Sequence, residues 1–180
     1  MKRLFSLFAA ISLSALLNQN LMAQRSSEFD KATGLAVKVN NVLTEYIKVH
    51  NDIFKVSAKR IVPIPGVFEA IDFQSHVSRL RKQRQTLASV DGDIATWLRQ
   101  GIKDIRVRAF VSLLKDYNQA LLKTLSQFEE ISQNLYQKSQ NPNHYSWDTY
   151  NKELDAYQES IGEYKRLGSK LNEAYQRLIE

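Results

Sequence analysis

Between Trp147 and Leu178 an apolar or small residue returns every three or four positions without a lapse, at Trp147, Tyr150, Leu154, Tyr157, Ile161, Tyr164, Gly168, Leu171, Tyr175 and Leu178. Such spacing lines up on one side of the chain in an α-helix, whose 3.6-residue turn stacks i, i+3, i+4 and i+7. Strict alternation of fours and threes is a heptad, and a heptad implies left-handed, coiled-coil-like packing. A helix with so long an apolar seam needs other helices to cover it, so the rest of the chain is read for partners.

Phe29, Ala32, Ala36, Val39, Leu43, Tyr46, His50 and Ile53 predict a first helix over about 27–60, with Ser27 and Asp30 as an N-cap pair. Leu35, Val42, Val49 and Val56 run beside that seam and widen it enough for two neighbours. Val62-Pro63-Ile64-Pro65-Gly66 interrupts the pattern, because two prolines remove amide donors and push the residues before them toward extended geometry. A second helix is expected over about 67–90, with Phe68, Ile71, Val77, Leu80 and Leu87 as its core, followed by a turn at Asp91-Gly92-Asp93. The third, over about 93–139, shows one face at Ile102, Ile105, Ala109, Leu113, Tyr117, Leu121, Leu125, Phe128, Ile131 and Leu135, and Gly101 can separate a lead-in around Trp97 from the main rod. Asn141-Pro142-Asn143 ends it, and Ser146 caps a fourth helix over 146–180 with Asp148 in its first turn. The expected fold is therefore all-α: an elongated four-helix bundle of about 40 to 65 Å with a coiled-coil-like C-terminal helix.

The bundle is expected to occupy residues 24–180, because residues 1–23 read as a cleaved signal peptide. Lys2 and Arg3 supply the positive start, Leu4 to Leu17 the apolar run, and Asn18 to Ala23 the small and polar end. Fourteen apolar-run residues fall short of the roughly 20 that span a bilayer as a helix. The mature chain is then expected to be periplasmic or secreted, starting at Gln24, with no transmembrane segment and no cysteine for a lipid anchor.

The chain has 43% hydrophobic residues over 180 positions, enough for a core without disulfides or a structural metal. It contains no cysteine, its six glycines are scattered singly, and its two methionines, Met1 and Met22, lie within the leader. These features leave no thiolate nucleophile, phosphate loop, nucleophile elbow or His/Met haem pocket, so a non-enzymatic protein without a cofactor is expected.

Four features carry the functional expectations. Tyr150, Tyr157 and Tyr164 mark one seam of the fourth helix and read either as packed phenols or as a partner-binding surface for another envelope protein or a second copy. Arg79, Arg81, Lys82 and Arg84 place four cations in six residues, a solvated face pairing with the acidic fourth helix or a site for lipopolysaccharide, acidic polysaccharide or acidic protein. Glu69, Asp72 and His76 stand at i, i+3 and i+7, a candidate metal face. Pro63 to Phe68 can dock across the helix ends. Residues 24–138 carry 18 basic and 12 acidic side chains while 139–180 carry 5 and 7, an asymmetry that bears on association, with no nucleic acid expected. The expected function is an exported helical interaction or structural component of the cell envelope, the alternative being an anion or lipid binder through the second helix.

Overall fold

The computed structural model describes residues 27–57 and 71–180, which form four α-helices and, among those residues, no strand. They are α1 (Ser27–Ser57), α2 (Phe73–Gln100), α3 (Ile105–Gln140) and α4 (Trp147–Ile179). The leader, the Pro63 to Phe68 connection and residues 58–60 of the expected first helix lie outside the described residues. At 1.5 Å per residue the helices run about 40 to 55 Å.

Cross-helix contacts fix the topology as up-down-up-down. Lys31 Nζ sits 4.4 Å from the Trp97 ring centroid, and Arg79 reaches Glu45, so α1 and α2 are antiparallel. Asn118 Nδ2 donates to the Leu87 carbonyl at 3.0 Å and Gln74 Nε2 to the Tyr136 hydroxyl at 2.7 Å, which sets α2 against α3. Phe110 meets Tyr175 and Lys123 meets Glu163, which sets α3 against α4. Helix α3 packs on all three others, and α1 reaches α4 through long aromatic side chains. Among the described residues no helix is long and apolar enough to cross a membrane.

The boundary between the second and third helices differs from the sequence reading. Asp91-Gly92-Asp93 is not a turn, and α2 continues through it to Gln100. The reason is the stripe that continues beyond it: Val90, Ile94 and Trp97 are buried in step with Leu80 and Leu87, and burying them outweighs the roughly 1 kcal/mol that a mid-helix glycine costs. The break falls at Gly101, whose φ of 90° is open to glycine, and whose N–H caps the Trp97 carbonyl. Asp104 then caps α3, accepting from the amides of Arg106 and Val107. The expected face also drifts, since three successive steps of four from Ile105 to Tyr117 each turn about 40° past a full circle. Ile105, expected in the core, is 79% exposed, and Val107, Phe110, Val111 and Leu114 form the buried face instead. Exchanging these two glycines for alanine should have opposite effects. Gly92→Ala is expected to stabilise by about 1 kcal/mol, since nothing lies within 4 Å of a Cβ there, and Gly101→Ala to destabilise by about 1 to 2 kcal/mol, both read from urea midpoints.

The second helix also starts later than expected. Ile71 and Asp72 precede it, and Asp72 accepts from the Ser75 amide at 3.0 Å as its N-cap. Ser146 caps α4 as expected, accepting from the Thr149 amide. The link between α3 and α4 is tied by Lys138, whose buried ammonium donates to the carbonyls of Pro142 and Tyr145 and lies 4.8 Å from the Trp147 ring centroid.

Candidate functional site

The tyrosine seam of α4 faces inward. Tyr150, Tyr157 and Tyr164 are all buried, so of the two readings, packed phenols or a partner-binding surface, the structure has the packed one: Tyr157 and Tyr164 meet rings of α1 and α3, and Tyr150 meets those of Tyr145 and Trp147. Tyr157 stacks at 5.2 Å on Phe128, and its hydroxyl meets that of Tyr46 at 2.5 Å, either oxygen able to donate. Tyr46 is edge-on to Phe128 and Tyr164, while His50 and Phe54 close the cluster from α1. Aromatic faces and edges in this arrangement add attraction beyond simple burial. Desolvation raises the phenol pKa of Tyr46 and Tyr157 well above the usual value, and that of Tyr150 and Tyr164 to about 12. Buried phenols of this kind stay protonated and serve packing and hydrogen bonding. Farther along α4, Gly168 lets the Tyr117 ring approach so closely that an added Cβ would lie 3.2 Å from it.

Burial also lowers the His50 pKa to about 4, the side chain of Asn51 opposing and the Lys165 charge adding to the shift. The imidazole is therefore neutral at physiological pH, a core histidine among rings.

The basic segment divides between two sides of α2. Arg79 lies between Glu45 at 3.4 Å and Asp52 at 3.7 Å, two carboxylates of α1. Arg81 and Arg84 turn the other way, each placing Nε 3.1 Å from one oxygen of Glu129 on α3. The sequence reading paired these cations with α4; the partners are α1 and α3, because α2 packs on those two helices. Lys82 is exposed and has no ion-pair partner among the described residues.

Of the metal candidates, Asp72 and His76 lie among the described residues. Asp72 is the cap before α2, His76 donates its backbone N–H to the Asp72 carbonyl, and Glu69 lies outside the described residues. Among the described residues no three His, Cys, Asp or Glu side chains converge as metal ligands.

An antiparallel four-helix bundle with an aromatic core is thus the class this chain defines. No protein-family model, curated protein or solved structure matches it.

Two side chains that organise these faces escaped the sequence reading. Glu129 falls within the buried stripe of α3, between Phe128 and Ser132, and a carboxylate at such a position signals a cationic partner. Lys138 carries the same signal near the end of that stripe.

Proposed function

We propose that this protein is an exported, non-enzymatic helical interaction or structural component of the cell envelope, acting through the outer face of α4. The leader pattern of residues 1–23 supports export to the periplasm or beyond. The heptad of α4 supports coiled-coil-like packing inside the bundle, which leaves the opposite face free for a partner.

The observation that carries the reading is the order of charges on that opposite face. Asp148, Lys152, Asp155, Glu159, Glu163, Arg166, Lys170, Glu173 and Arg177 are exposed and recur by threes and fours, so they fall within about 80° of one another around the axis. The first five are mostly acidic and the last four mostly basic, with Glu163 at the edge of the stripe also reaching Lys123 of α3. A stripe polarised from end to end pairs with a helix of the inverse order, and an antiparallel second copy has that order. Charge complementarity of this sort selects partners and speeds encounter more than it tightens binding.

Photocrosslinking in the native cell, with a reactive residue at Glu159 or Lys170, tests the reading. A discrete adduct to a second copy, joining the neighbourhood of Glu159 to that of Lys170, or to one other envelope protein is expected. Intramolecular products alone at both positions would sink it. Retention of Met1 in the protein recovered from cells would remove the cleaved leader from the proposal.

A further inference from the structure

A second, separate face of the molecule presents two guanidinium groups on one buried carboxylate. Glu129 is 7% exposed, and both of its oxygens have an arginine Nε at 3.1 Å, from Arg81 and Arg84. Arg81 donates a directed hydrogen bond to Oε1. Oε2 takes no directed hydrogen bond, so Arg84 is held there by charge. The two arginine side chains remain 52% and 43% exposed.

The arithmetic of charge differs on the two sides of α2. Arg79 is one cation between two carboxylates, whereas Arg81 and Arg84 are two cations sharing one. Among the described residues neither guanidinium pairs with a second carboxylate. Lys82 adds a further uncompensated charge about 100° around the helix from Arg81, and Glu130, exposed beside Glu129, offsets part of it. The crowding of like charges is relieved by an anion seated on the outer edges of the pair. Planar forks of N–H donors match a tetrahedral oxyanion in two-point contact, and a phosphate monoester near neutral pH carries roughly the charge of two guanidiniums.

We propose that Arg81 and Arg84, braced by Glu129, form a binding site for the phosphate of a phosphate monoester. This site is independent of the α4 face and adds a ligand to a protein whose main role is interaction. It also narrows the basic segment: Arg79 belongs to the α1 interface and takes no part.

The test titrates the whole mature protein with inorganic phosphate and follows the arginine Nε–H resonances at physiological chloride. Arg81 and Arg84 should shift together while Arg79 stays in place, and Arg81→Gln with Arg84→Gln should weaken binding at least tenfold. The second arm floats the protein on phosphatidylcholine vesicles with and without phosphatidic acid. Flotation that needs phosphatidic acid and is lost in the double variant, with no response to inorganic phosphate, assigns the phosphate to a lipid headgroup. A response in both arms assigns it to phosphate as such. Binding in neither arm, binding that survives the double variant, or equal shifts at Arg79 would each overturn the proposal. Thermal unfolding of the double variant without ligand separates lost binding from lost fold.

Discussion

Phe128→Ala is expected to lower the free energy of unfolding by about 4 kcal/mol, the largest effect of any single truncation considered for this chain. Phe128 is fully buried on α3, with the rings of Tyr157, His50, Phe54 and Tyr46 at 5.2, 5.4, 5.7 and 5.9 Å. Those rings come from α1 and α4, so the cavity opens where three helices meet and no one of them can collapse to fill it. Urea unfolding should show a lower midpoint with an unchanged slope. Ile105→Ala provides the contrast: at 79% exposure it should stay within about 0.5 kcal/mol of the parent. Similar losses at both positions would mean that the aromatic cluster is not the centre of the core.

The second large effect is acid sensitivity in a defined window. His50 has its pKa lowered by burial to about 4 in the folded protein, against about 6.5 in the unfolded chain. Above pH 6.5 both states hold a neutral imidazole and the group contributes no pH dependence. As pH falls from 6.5 toward 4 the unfolded chain takes up a proton that the folded core refuses, so stability declines, by about 3 kcal/mol at the lower end. The carboxyls of Glu28 and Glu45 have lowered pKa values and add their own loss as pH falls below about 4.5, beneath most of this window. His50→Leu should remove most of the decline between pH 6.5 and 4.5 in urea midpoints, leaving the smaller part contributed by His76, whose pKa burial also lowers. A decline of the same slope in the variant would assign it to other groups.

Much of this architecture was legible in the residues, and the places where it was not have physical reasons. Helix α4 could be read almost to its ends, because Ser146 is a strong cap and the three-four stepping never lapses. Period alone says which side chains share a face but not what covers that face. Tyr46, which meets Tyr157 on the inward side, lies 111 residues away in the chain, and no local pattern contains that pairing. At the end of α2 the two signals competed. Gly92 between two aspartates resembles a turn, yet the buried stripe through Ile94 and Trp97 overrides it, and Gly101 is the glycine whose conformation ends the helix. Repeated steps of four put Ile105 in the expected core, but such steps drift around the axis, and the true face lies at Val107, Phe110 and Leu114. The cationic run was visible in the sequence, but its division between α1 and Glu129 depends on which helices flank α2, a property of the assembled bundle.

The close approach of Tyr117 to Gly168 has a further meaning for how α4 finds its place. With tyrosine at 150, 157 and 164, a slide of α4 along α3 by seven residues would set phenol in place of phenol over much of its length, so the seam by itself is nearly degenerate. Gly168 lifts that degeneracy. A slide in one direction brings Ile161, and in the other Tyr175, against the Tyr117 ring where a single Cβ already finds 3.2 Å. One missing side chain thus acts as an index mark on a helix that otherwise repeats itself, and it selects one alignment from several of similar hydrophobic content.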